Sequence, residues 1–321
     1  MSAAPPWLDQ RLVFFTGKGG TGKSTIAAAA ALFAAQRGKR VLLIDVDAKQ
    51  TIATLFEHRA VGFEPEMLQS GIAAIAMDTE KSLREYLKLN LRVPIVGRIG
   101  PLARMFDFVA TAAPGVKEIL TIGKIMWEVR EAVAGRADHD IVIVDAVASG
   151  HVIAQLNAPQ TIRDLADVGP LRNQTDWMIE LITDPGVTSI NVVTTPEEMP
   201  VVETIELIDR LRSETNAPLG AVVVNRVLPE LFTRDDEVRF IELCEPDALR
   251  ALGAVAGVGV EAVVAGARQA VTMRRSRVEH LEALRDRIDL PLLYVPHQFG
   301  SLHGVRTLTI IAEALADELG V

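Results

Sequence analysis

The chain has a single cysteine, Cys244. One thiol makes neither a disulfide nor a thiolate metal site within a chain, so Cys244 reads as a packing residue. Clusters of lysine and arginine are also missing, and the formal net charge is −9. A phosphate backbone is therefore not an expected partner, which excludes nucleic acid. Long apolar runs are absent too: the longest, Ile26 to Ala35, is far short of a membrane span. The opening MSAAPPWLDQR lacks a basic start followed by an apolar core, so no secretory signal is expected. The expected location is cytoplasmic, at a membrane only through a partner. No linker divides the 321 residues, of which 49% are apolar, and one domain spanning 1–321 with a large core is expected.

What is present is a regular alternation. Short β-rich runs at 12–16, 41–46, 141–145, 189–194, 221–225 and 292–295, with a further one at 72–77, end in polar or small residues and are separated by helical stretches. Continuous apolar strands joined through long helices predict a parallel sheet covered on both faces. The expected fold class is α/β, a doubly wound, mostly parallel sheet of about seven strands with ligands at the strands' carboxyl ends. Residues from about 56 to 136 break the pattern. Apolar faces at helical spacing dominate there, at 102–109 and through Val116, Ile119, Leu120, Ile122, Ile125, Met126 and Val129. They predict an inserted helical subdomain that could offer an apolar groove to a client helix. Further helices are expected over 161–181, from Pro200 through 201–212, within 234–287 and over 305–319.

Between the first strand and its helix lies GKGGTGKST, Gly17 to Thr25. Gly17, Gly19, Gly20 and Gly22 let the backbone fold tightly enough to aim consecutive N–H groups at one anionic oxygen cluster. Lys23 supplies a point charge for the outer phosphates. Ser24, in the first helical turn, is placed to ligate Mg²⁺ while the helix dipole faces the same phosphates. Gly17 to Ser24 match G-x-x-x-x-G-K-[ST] in the strand–turn–helix setting that this motif requires, so ATP or a similar triphosphate with Mg²⁺ is the expected ligand.

Other chemistry-bearing residues fall at the ends of the later strands. Asp45 and Asp47 follow the second; Asp47 either caps the next helix or orients the attacking water beside a triphosphate. Asp145 closes HDIVIVD, an apolar strand ending in an acid, as in a Walker B metal site. Asn225 ends the strand AVVVN; its amide suits a turn or a purine edge. The loop VPHQFGS, with Pro296 and His297, is the other candidate for the base pocket.

With these segments assembled, the sequence resembles the ATPase family that contains the bacterial arsenite-pump ATPase and the eukaryotic tail-anchored-protein targeting ATPase. FFTGKGGTGKST is similar to its deviant Walker A loop, in which the lysine of K-G-G-x-G-K-[ST], here Lys18, marks the signature-lysine class. DVDAKQTIATLF is similar to its first switch, DAVASGH to its second, APGVKEILTIGKI to its helical-region motif, and VVNRV with VPHQFG to its adenine-contacting segments. The similarity is greatest to a single-copy bacterial branch of anion-transporting ATPases, some encoded beside a paralogue. The resemblance implies an ATP hydrolase acting as a dimeric nucleotide switch. Lys18 would cross to the partner's phosphates, and residues 19–25, including Thr21 and Thr25, would hold the triphosphate. Ser24 and Asp145 would serve the metal, Asp47 the hydrolytic water, and Asn225, Pro296 and His297 the adenine. One P-loop implies a homodimer, or a heterodimer with a paralogous ATPase, moving a helical region that engages a hydrophobic client or a membrane-protein partner.

The departures matter as well. Ala146 and Ala148 stand where the family's second switch carries threonine and proline, and Ala48-Lys49-Gln50 replace part of D-P-A-H in the first. These changes remove hydroxyl and imidazole groups, so slow turnover, or a weaker half of a heterodimer with low turnover of its own, is the second expectation. The family's arsenite-binding and zinc-pairing cysteines are absent, which disfavours arsenite as ligand.

Overall fold

The computed structural model describes residues 7–91, 115–165, 170–230, 232–257, 259–299 and 304–321. Eight strands form one sheet: β1 (Leu12–Gly17), β2 (Val41–Asp45), β3 (Glu66–Gln69), β4 (Ile72–Ala76), β5 (Ile141–Ala148), β6 (Thr188–Thr194), β7 (Leu219–Val227) and β8 (Leu292–Pro296). Their order is β3-β4-β2-β5-β1-β6-β7-β8, parallel except for β3, which pairs antiparallel with β4 at one edge. The apolar runs became the parallel strands because each is covered on both faces and has no solvent side to keep polar.

From β1 the chain moves to one flank through β2, the edge strand β3 and β4, returns through β5, and then builds the other flank through β6, β7 and β8. The winding therefore reverses around β1, where an open α/β sheet forms its ligand crevice. Along β1 the side chains alternate with period two. Val13 and Phe15 enter one core, shared with helices α1 (Lys23–Gln36), α2 (Thr51–Leu55) and a helix near the C-terminus. Leu12 and Phe14 enter the other, shared with α4 (Val116–Val133), α5 (Ser149–Leu165), α6 (Pro170–Thr183) and α7 (Glu198–Glu214); α3 (Thr79–Leu91) packs beside α4. The remaining helices are α8 (Arg234–Leu243), α9 (Pro246–Ala256), α10 (Val260–Arg287) and α11 (Val305–Leu319), the last of which packs on α1.

Helix α1 is buried all round, from Ile26 to Ala34. Its alanines have high helix propensity and no bulk, so the helix fits between the sheet and α11.

Several expectations change. Among the described residues the sheet has eight strands rather than about seven, because EMLQ at β3 is short and partly polar, with no apolar run to announce it. The span expected to be a helical insert opens with β3 and β4, which join the main sheet; its described helices are α3 and α4, and the helix expected at 102–109 lies outside the described residues. The single helix expected over 161–181 is divided between α5 and α6. Pro200 sits inside α7 instead of opening it, which costs little because first-turn N–H groups lack helical partners.

Candidate nucleotide site

The P-loop leaves β1 at Gly17, where φ is 144° and an added Cβ would lie 2.2 Å from the Val193 carbonyl oxygen. Only glycine fits between β1 and β6 at that point. Gly20 and Gly22 also have positive φ, 90° and 92°. An added Cβ at Gly19 or Gly20 would meet nothing within 4 Å, so the loop backbone faces open space, as a phosphate cradle requires.

Inside the loop, the Lys18 carbonyl accepts from Thr21 Oγ1 at 3.0 Å and from Lys23 Nζ at 3.2 Å. The cradle lysine thus lies folded along its own loop. Burial pulls its pKa below the ordinary lysine value, while Asp145 and Asp47 oppose that pull. Ser24 and Thr25 lie in the first turn of α1, and Ser24 is near enough to Asp145 to help hold its carboxyl down. Lys18 Nζ, by contrast, pairs with Glu203 on α7 of the same chain.

Three aspartates converge beside this loop. Asp45 and Asp145 are register partners across β2 and β5 and are 3% and 6% exposed. Burial pushes Asp145 up to about 7; like charge on Asp45 and Asp47 adds to the shift, while Ser24 and Lys23 resist it. Asp45 is also raised by burial, although it accepts from the Ala48 N–H at 2.9 Å. Asp47 lies further out and pairs with Lys49 at 2.7 Å. Ala48 and Gln50 have φ of 52° and 60°, a left-handed backbone without glycine. Thr16 at the end of β1 donates to the Val147 carbonyl at 3.2 Å, tying the P-loop strand to the segment after Asp145.

These donors fit a hard divalent cation bound through oxygen: a hydroxyl at the helix N-terminus, a buried carboxylate short of positive charge, and water for the remaining positions. Among the described residues no cluster of three or more His, Cys, Asp or Glu side chains has metal-holding geometry, so Ser24 and Asp145 are the candidate pair.

The base-side residues are brought to the same edge of the sheet. Asn225 is 6% exposed and spends its amide on the chain itself. Nδ2 donates to the Thr21 carbonyl at 2.9 Å, and Oδ1 accepts from the Arg226 N–H at 2.9 Å. Here it braces the P-loop, and a Cβ on Gly22 would sit 2.3 Å from its Nδ2. Pro296 pairs in register with Val227, and the His297 N–H donates to the Val227 carbonyl at 2.8 Å. The His297 ring packs edge-on against Phe299, and its buried Nδ1 has no hydrogen-bond partner. Sequence reasoning did not single out Glu203 or Thr16: no motif marks Glu203, and Thr16 offers only its position before the glycine loop. Lys49, read only as a departure in the first switch, proves to pair with Asp47.

The family model described as Anion-transporting ATPase matches residues 10–168 and 164–246. A protein of Mycobacterium tuberculosis named ATPase BagA is 33% identical over 309 residues, covering 91% of this chain and 90% of that protein. A putative arsenical pump-driving ATPase of Halobacterium salinarum is 26% identical over 91% of this chain, which spans 42% of that longer protein. An ATPase ASNA1 homolog of Entamoeba dispar is 24% identical over 68% of the chain and 76% of its own length.

Proposed function

Because the chain belongs to the anion-transporting ATPase family and is an ATP hydrolase, we propose that it is a Mg²⁺-dependent nucleotide switch that works as a dimer. One observation carries this reading: Lys23, Ser24 and Asp145 meet under an open P-loop at the point where the sheet's winding reverses.

In this reading the N–H groups of residues 19–25 and the Lys23 ammonium bind the β- and γ-phosphates, Lys23 leaving the Lys18 carbonyl to do so. Ser24 and Asp145 would hold Mg²⁺, which neutralises charge on the phosphate oxygens. The Asp47 carboxylate orients the attacking water and must part from Lys49 to accept its proton. Pro296 and His297 border the adenine, with the unpartnered His297 Nδ1 available as a polar contact. Asn225 reaches the base only by exchanging its Thr21 contact for it. Lys18 completes the partner's site by placing a cation on the transferred phosphoryl group.

Movement reaches the helices through β5. Helix α5 starts at Ser149, directly after that strand, and its far part, at Ile162, lines a mostly apolar cavity of about 240 Å³ between α3, α4 and α6 with Ile119, Trp127 and Trp177. A shift at Asp145 therefore has a path along α5 to an apolar cavity suited to a hydrophobic client.

The test is the ATPase rate per subunit against protein concentration. Wild type is expected to rise with concentration, and Lys18→Ala to lose on the order of 10³-fold in kcat while still binding ATP. Hydrolysis independent of both concentration and Lys18 would refute the dimer. The Asp47–Lys49 pair and the buried methyl of Ala146 favour a second reading, a low-turnover subunit that relies on a paralogue. Vigorous hydrolysis by the isolated chain would remove it.

A further inference from the structure

The Lys18–Glu203 ion pair joins residues 185 positions apart. The two side chains are 35% and 31% exposed, so the contact is at the surface beside the P-loop and not in the core. Glu203 lies in the second turn of α7. Four residues before it is Met199, and immediately before it Val202, apolar side chains left 57% and 45% exposed. Helix α7 is tethered at its start: Arg277 of α10 bonds both Glu197, at 3.3 Å, and the carbonyl of Arg226, at 3.3 Å. Arg226 adjoins Asn225, which braces Thr21. Polar contacts thus run from the P-loop through α10 to α7 and back to Lys18.

We propose that Glu203 is a positioning residue for Lys18. In the nucleotide-free single chain it parks the ammonium against α7, and association with a second subunit draws Lys18 away to that subunit's phosphates. The proposal rests on the reading of Lys18 as a lysine that acts across a dimer. The physical reason is competition. A lysine on a four-carbon stem cannot serve a carboxylate of its own chain and a phosphate of another at once. A contact made in only one of two states biases the equilibrium by its own worth, here up to about fivefold for a half-exposed pair. As Lys18 leaves, Met199 and Val202 flank a carboxylate that is no longer paired, on the surface a second subunit would approach.

Two measurements test this. The first needs no second subunit: amine acylation of the nucleotide-free chain, read by mass spectrometry. In Glu203→Gln, Lys18 should react up to about fivefold faster while the other lysines are unchanged. In Glu203→Asp it should react as in wild type. Equal Lys18 reactivity in wild type and Glu203→Gln overturns the hold.

The second is sedimentation velocity with Mg²⁺ and a non-hydrolysable ATP mimic. Because each of the two subunits gives up one pair, Glu203→Gln should associate at an up to about 25-fold lower concentration than wild type, and the same change should add nothing in a Lys18→Ala background. An unshifted midpoint, or an equal shift without Lys18, overturns the release step alone. A wild-type chain that never associates overturns the dimeric reading and the release step together; the acylation result identifies that case, since it reports on the hold without any dimer.

Discussion

Ala48 and Gln50 hold a left-handed backbone in the loop after Asp45, where an L side chain costs about 1 kcal/mol each. Their surroundings sustain it: the Ala48 N–H donates to Asp45, and the Gln50 side chain straps both polar groups of Val61, at 2.8 and 3.1 Å. Ala48→Gly should therefore stabilise the nucleotide-free protein by several tenths to about 1 kcal/mol in urea unfolding, offset in part by the freer unfolded chain. Gly22 is the opposite case. Gly22→Ala meets both a φ of 92° and the Asn225 amide, and is expected to cost at least about 2 kcal/mol and most nucleotide affinity. Adding Asn225→Ala should recover only the steric part, since φ is unchanged; full recovery in the double variant would show that the brace is the whole constraint. The cradle was legible in the sequence because glycine spacing is a local property. The brace was not, since Asn225 and Thr21 are 204 residues apart and an asparagine at a strand end has many uses.

At the scale of elements, the ends of β2 and β5 are clamped by Arg40 and Asp140. Asp140 accepts from the Arg40 Nε, Nη2 and backbone N–H. These bonds, side chain first and backbone second, hold the Asp140 carboxyl down at about 2. A carboxyl held below its ordinary value near 3.9 adds stability above that value and loses it as pH falls through about 2. Asp140→Asn should therefore lower Tm slightly at pH 6 and by less at pH 2, where the native carboxyl is about half protonated; an equal loss at both would mean that charge is not involved. Helix α1 offers a second test. Ala28, Ala29 and Ala31 are fully buried, so Ala29→Leu overpacks the layer between sheet and α11 at a cost of about 1–3 kcal/mol by chemical denaturation. The helix itself was plain from its alanine run, but its burial on all sides was not, because alanine shows no polar face to mark where solvent lies.

Over the whole molecule, one sheet separates two cores, and Phe14 and Phe15, each fully buried, enter opposite ones. Either Phe→Ala change is expected to cost about 3–5 kcal/mol and to unfold the chain in one transition, since both cores share every central strand. By itself the sequence determined the α/β class, the nucleotide loop and the acids at the strand ends. Those depend on short-range patterns: apolar runs of strand length, glycines at fixed intervals, an acid at the end of two of the runs. Only the tertiary structure decided that a polar edge strand extends the sheet and that Asn225 braces the P-loop. It alone decided, too, that Asp145 is buried among like charges and that Lys18 lies against Glu203. Such contacts join residues far apart in the chain, and what a carboxylate or an amide does depends on which groups and how little water the completed fold places around it.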